Sequence, residues 1–224
     1  MCGRFSLIHS PEDVEQFFAL AALEAFPPRY NIAPTQPVLV VTAAPSRPEG
    51  SNLPDREAQL MRWGLIPSWV KDPMDFPLLI NARSETAAIK NSFRAAMRHR
   101  RCILPASGFY EWQRDPATKQ SQAYWVPTAS GDIAGFAALH ETYIAQDGSE
   151  LDTVAILTTE AREPFAQIHN RIPVVIQQND FDRWFDVLNN EPRDVTDLLV
   201  PPPDSYFKPI PVSDQVNKVA NSGA

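Results

Sequence analysis

Cys2 is followed by Gly3, Arg4 and Phe5. Methionine aminopeptidases remove Met1 when the next residue is small, and that removal would leave a cysteine at the start of the chain. Such a residue carries a free α-amine and a thiol on adjacent carbons. An α-amine titrates at about 7.7–8.0 against about 10.4 for lysine, so roughly a quarter of it is neutral and nucleophilic at pH 7.4. A neutral amine attacks an aldehyde to give an imine, and the neighbouring thiol can close on the imine carbon as a five-membered thiazolidine. The same residue could act instead as a thiol nucleophile carrying its own base. A third reading makes it a buried or frayed terminal residue with no chemistry.

Other polar residues stand in segments where a plain fold would not need them. Asn31 lies within Arg29-Tyr30-Asn31-Ile32-Ala33-Pro34, and Trp69 closes the aromatic turn Trp63-Gly64-Leu65-Ile66-Pro67-Ser68-Trp69. Asn81 and Arg83 open Asn81-Ala82-Arg83-Ser84-Glu85-Thr86. Glu111 is set among Phe109, Tyr110 and Trp112, and His169 begins His169-Asn170-Arg171-Ile172-Pro173. Each residue also has a structural reading: Asn81 as a helix-entry cap, Glu111 on the polar face of a strand, His169 at a helix end favoured by the macrodipole, Trp63 and Trp69 as core.

The elements that must hold these residues are short. The chain has 224 residues, 44% of them hydrophobic, with 22 prolines and only 8 glycines. Prolines scattered between apolar runs predict many short strands and irregular connections. Helices are predicted over 11–24, 84–98, 162–168, 181–188 and 193–199. Strands are predicted over 37–41, 59–63, 102–104, 109–112, 123–126, 133–142, 153–159 and 174–176, with a polar loop over 45–54. The expected architecture is a single α+β domain over 1–224, mostly antiparallel sheet curled toward a barrel, with peripheral helices.

Composition narrows the function. No run of 18 apolar residues points to a membrane span, and no charged-then-apolar leader points to secretion. The two cysteines, Cys2 and Cys102, would serve a working thiol only if unpaired, which favours a reducing cytoplasm. No Cys/His spacing resembles a metal site, and no cofactor is expected. Net charge is −7, yet Arg83–Arg101 carries six basic residues against the single acid Glu85. Arginine, whose planar fork suits phosphate, outnumbers lysine 15 to 5. The alternative for this stretch is a solvated helix face.

In combination these segments resemble the SOS response-associated peptidases, the abasic-site processing family. The resemblance runs in order over nearly the whole chain: Cys2–Phe5, Arg29–Pro34, Trp63–Trp69, Asn81–Thr86, Gly108–Trp112, His169–Pro173 and Pro211–Asn217, with Ile172 where the family carries Met. It implies binding of single-stranded DNA at an abasic site, whose opened sugar is an aldehyde, and a covalent link through Cys2. By the same resemblance Asn81 would hold the amine or the opened sugar, Glu111 would shuttle protons during imine formation, and His169 would protonate the ring oxygen. A carboxyl among three aromatics is expected to have its pKa raised by desolvation, as a proton donor requires. Arg4, Arg83 and Arg162 would meet the DNA backbone, Asn31 would also bind the DNA, and Trp69 would stack on or wedge beside bases. The protein is expected to act as a monomer. Other readings stay open: a thiol peptidase or self-processing hydrolase built on Cys2, Glu111 and His169, and a non-enzymatic reader of modified bases. N-terminal-nucleophile glutamine amidotransferases also begin Cys-Gly, but the rest of the chain does not follow their pattern.

Overall fold

The computed structural model describes residues 2–45, 50–221 and 223; residues 46–49 of the expected loop lie outside them. The structure is α+β, with twelve strands in two sheets among the described residues. The strands are β1 (Phe5–Leu7), β2 (Arg29–Ile32), β3 (Pro37–Ala43), β4 (Arg56–Trp63), β5 (Asn81–Arg83), β6 (Arg101–Ala106), β7 (Gly108–Arg114), β8 (Ser121–Pro127), β9 (Ala134–Ile144), β10 (Glu150–Glu160), β11 (Arg171–Pro173) and β12 (Ile210–Val212). One sheet runs β12-β8-β7-β1-β2. In the other, β3, β4, β10, β9 and β6 pair around a closed circuit, with β5 and β11 added to the far end of β10. Pairing is antiparallel except where β10 meets β4 and β5 in parallel. Closure leaves no edge in the circuit, which removes the usual exposure of unpaired backbone groups.

The two sheets share one apolar core that includes Phe5, Trp63, Ile103, Phe109, Phe136 and Trp184, all essentially inaccessible. Each such side chain contributes about 1.5–3 kcal/mol by leaving water. The chain crosses between sheets at Ser107, from β6 into β7. A Cβ on Gly108 would lie 2.9 Å from the Pro127 Cα and from the Val126 carbonyl oxygen. Only glycine lets β7 approach β8 here, and β7 carries Glu111.

Helices are shorter than the sequence periodicity predicts. Helix α1 (Pro11–Phe18) starts at the expected cap, with Ser10 and Asp13 bonding reciprocally, but stops at Ala19 in the left-handed region (φ 52°) instead of reaching Glu24. The stacked Phe18–Phe181 pair fixes that end, and Leu20, Leu23 and Phe26 then pack on the core from an irregular segment. The helix expected over 84–98 is two pieces, α2 (Ser84–Ala87) and α3 (Arg94–His99). Asn91 and Ser92, residue types that favour turns over helix interiors, lie between them, and Ile89, expected on the apolar face, is 75% exposed. Ser84 is the first helical residue and Arg83 takes the cap position. Helix α4 spans Phe181–Phe185, whereas 165–167 and 192–198 form 3₁₀ turns, each entered through a proline. The strand expected over 174–176 is only an isolated bridge at Val175; the regular strand is β11 just before it.

Half of the basic run is engaged within the protein. Arg101 is buried and donates to the carbonyls of Trp184, Met97, Asp186 and Asn190; burial lowers its pKa to about 10. Arg100 pairs with Glu141 at 2.7 Å and Arg98 with Glu191 at 2.9 Å. Among the described residues, Arg83, Lys90 and Arg94 make no ion pair.

Candidate active site and nucleic-acid interface

Cys2 lies where the two sheets meet. The Tyr110 N–H donates to the Arg4 carbonyl at 2.8 Å, and Phe5 pairs with Phe109, so the first residues run along β7. From the other sheet, β5 is held on β10 with Asn81 opposite Ile156. The Asn81 amide donates to the Cys2 carbonyl at 2.9 Å. Residue 2 is thus held directly by β5 and, through Arg4 two residues on, by β7, and it is buried. Oδ1 of Asn81 is buried without a hydrogen-bond partner among the described residues. It is an acceptor close to the start of the chain.

Glu111 is buried on β7. Side chains alternate along a strand, so only Phe109 of the three neighbouring aromatics shares its face. Tyr110 and Trp112 point to the other side, where Tyr110 Oη donates to the Tyr30 carbonyl and Trp112 Nε1 to Asn217 Oδ1. The three-aromatic surround expected for Glu111 is therefore corrected by the pleat. Burial, and then the negative charge of Glu111, push the Cys2 thiol far above its ordinary pKa; a weak hydrogen bond to the Arg4 carbonyl opposes them. Cys2 and Cys102 are both free and buried.

His169 ends the turn before β11. Its Nδ1 accepts the Arg171 backbone N–H at 2.9 Å. In the neutral ring the proton therefore sits on Nε2, which becomes the donor. Two contacts bring this turn toward Glu111's end of β7. The Gln113 amide donates to the Gln167 carbonyl at 3.0 Å, and β11 pairs with the end of β10 that also carries β5.

Arg171 and Glu85 were left without roles by the sequence, and the structure pairs them. The guanidinium forks onto the carboxylate at 2.7 and 2.9 Å and also reaches the Thr158 carbonyl. Burial alone would raise the Glu85 pKa, but the hydrogen bond from Arg171 and that residue's charge hold it below the ordinary value. The pair ties β11, and with it His169, to α2. Opposite charges in the His169–Pro173 and Asn81–Thr86 segments were the available signal.

The candidate DNA contacts divide. Trp69 is 51% exposed on the loop between β4 and β5, and it packs edge-on against Phe76. That loop is pinned at its base by the Leu65–Leu79 bridge and by Trp63 Nε1 donating to the Ile80 carbonyl, one residue before Asn81. Arg83 is exposed, two residues from Asn81 on the same side of β5. Arg162 is exposed and lines a cavity of about 330 Å³ with Gln113, Tyr124 and Pro201–Pro203. Arg4 and Asn31 are instead engaged by the C-terminal segment: Arg4 Nη1 donates to Asn31 Oδ1 and to the Val216 carbonyl, both at 2.7 Å. No group of three metal-binding side chains occurs among the described residues, and no helix there is long and apolar enough to cross a membrane.

Comparison with known proteins meets this geometry. A family model described as SOS response associated peptidase (SRAP) matches residues 1–219. "Abasic site processing protein YoqW" of Bacillus subtilis (strain 168) is 37% identical, over 99% of this chain and 96% of its own. "Abasic site processing protein YedK" of Escherichia coli (strain K12) is 31% identical, over 100% and 97%. A crystal structure of a protein from Bacteroides thetaiotaomicron has the same fold, with a TM-score of 0.84 at 21% identity over the full length of both chains.

Proposed function

The chain belongs to the SOS response associated peptidase family, and from that premise we propose that it captures abasic sites in single-stranded DNA as a covalent thiazolidine on Cys2. The observation that carries this reading is the grip on residue 2. Asn81 fixes the Cys2 carbonyl through its amide and leaves Oδ1 buried beside the chain start. Once Met1 is hydrolysed away, a Cys2 ammonium is the donor that this oxygen fits. The names of the relatives, abasic site processing proteins, support the substrate class.

The chemistry follows from the residues. As the sugar opens to its aldehyde, His169 Nε2 gives a proton to the ring oxygen while the C1′ hydroxyl loses its proton to water, which returns one to the imidazole. The neutral amine of Cys2 adds to C1′ to form a carbinolamine. Glu111 takes the ammonium proton and returns one to the departing hydroxyl, so that water leaves and the imine forms. The thiol then adds its sulfur to the imine carbon and its proton passes to the nitrogen. The ring closes with one water lost overall and no oxidant or metal. Burial that keeps the sulfur protonated weighs against a thiol peptidase, which needs a thiolate at neutral pH. It suits a sulfur that attacks second.

Arg83, two residues from Asn81 on β5, supplies a phosphate contact for the flanking strand, and the exposed Trp69, on the loop that leads into β5, supplies a stacking surface. The protein acts as a monomer in the cytoplasm on this reading. The test is to mix the protein with single-stranded DNA carrying one abasic site and to run a denaturing gel without reductant. A stable adduct is expected from wild type and none from Cys2→Ala. Equal adduct from Cys2→Ala would refute the reading.

A further inference from the structure

Asn31 on β2 uses its whole side chain on the protein's two ends. Oδ1 accepts from Arg4 Nη1, and Nδ2 faces the carbonyls of Val216, Lys218 and Asn221 at 3.2, 3.1 and 2.8 Å. Its two amide hydrogens are already shared among three acceptors. Arg4 Nη1 bonds the same Val216 carbonyl, and the Arg4 guanidinium lies 6.0 Å from the Trp112 ring centre. Trp112 Nε1 closes the loop on Asn217 Oδ1 at 2.7 Å. The segment is delivered there by β12, which pairs with β8, and is braced by Asn221 Nδ2 donating to the Gln215 carbonyl.

Trp112 and Tyr110 point to the face of β7 opposite Glu111, and the ring of contacts lies on their face. Its link to the chemistry is the main chain: Arg4 is two residues from Cys2, and its carbonyl accepts from the Tyr110 N–H and from the Cys2 thiol.

We infer that Asn31 is a positioning residue, which clamps Arg4 to the C-terminal segment 215–221 and thereby sets the placement of Cys2. The inference rests on the reading of Cys2 as the nucleophile. It also takes Asn31 out of the DNA contacts, because a phosphate could reach its amide only by displacing the segment. A wall of main-chain carbonyls is a poor surface for an anion. On this account the strand approaches from the Trp69 and Arg83 side.

The experiment compares wild type, Asn31→Ala and a chain ending at Ser213, with a synthetic peptide of residues 214–224 added back to the shortened chain. Three quantities are read: the single-turnover rate of adduct formation at saturating abasic DNA, the DNA concentration giving half that rate, and the rate at which iodoacetamide alkylates Cys2 without DNA. Misplacement of a reacting group costs on the order of 10²-fold in rate. A loss of that size at saturation is expected in both variants, with the half-saturating concentration little changed and Cys2 alkylated several-fold faster. The peptide should restore both the rate and the protection, which a chain that had failed to fold would not allow. A rate loss that vanishes at saturating DNA would make Asn31 a DNA contact and overturn the inference. So would unchanged alkylation in both variants. If wild type forms no adduct at all, the capture reading fails, and the alkylation arm still decides whether the clamp holds Cys2.

Discussion

Two regions of the molecule are built in opposite ways. On one side, Cys2, Arg4, Asn31 and Glu111 are buried or half-buried, and Arg4 and Asn31 bond other parts of the chain. On the other, Trp69 and Arg83 stand exposed, with Met74 90% and Leu78 48% exposed on the same loop. The interior region fixes geometry before any ligand arrives, as a site that must orient an amine, a thiol and a proton carrier requires. The rim keeps its aromatic surface and charge available to a partner. Removing an interior residue should therefore change rates, and removing a rim residue should change affinity.

The largest expected effect breaks the interior. Glu111→Gln should slow adduct formation by about 10²–10⁴-fold, the usual contribution of a positioned proton carrier. Binding of lesion-free single strands should stay at the wild-type level. A stopped time course at saturating DNA, alongside a binding titration, checks both halves; a parallel loss of affinity would erase the distinction between the regions.

A half-buried group outside both regions, on β9, shows itself through pH. Burial, and then the Arg100 charge, lower the His140 pKa to about 4, against an ordinary value of about 6.5. The folded state holds this ring neutral, so its contribution is complete above pH 6.5 and is lost as pH falls from 6.5 to about 4. Over that window the linkage amounts to about 3 kcal/mol. Urea melts at pH 7 and pH 5 should differ for wild type and differ less for His140→Gln. An identical pH response in the variant would show that His140 does not carry the term.

At the rim, Trp69→Ala should weaken single-strand binding by about 1–3 kcal/mol if the indole stacks on a base, with the saturating rate of adduct formation retained. The smallest effect belongs to Arg83. Arg83→Ala should reduce the slope of log affinity against log salt by about 0.7, one phosphate's share on a single strand. An unchanged slope would remove Arg83 from the backbone contacts.

The sequence showed the long strands and the chemistry more clearly than the connections. β3, β9 and β10 carry continuous apolar runs and were readable as strands. β5 and β11, three residues each, have too little pattern to register, yet β5 sets Asn81 and β11 follows His169. The break between α2 and α3 was missed because an apolar spacing over Ile89, Phe93 and Met97 imitates one helix face, although Ile89 lies in solvent. Cys2, Asn81 and Glu111 could be selected by residue type, but the engagement of Arg4 and Asn31 by residues 216–221 could not. It depends on pairings across about two hundred residues that no local period encodes.

The grip on Cys2 also imposes an order on the protein's life. Its holders come from residues 81 and 110, from β10 beneath β5, and from the segment near residue 216. At about 5–20 residues per second, residue 216 is translated roughly 10–40 s after residue 2. Residues 81 and 110 emerge within the first part of that interval, so the first residues are initially held by their own half of the chain. The clamp on Arg4 is added only when the segment near residue 216 has been made. The surroundings of Cys2 are thereby completed late in synthesis, and a chain cut short before residue 214 would fold with Arg4 unclamped.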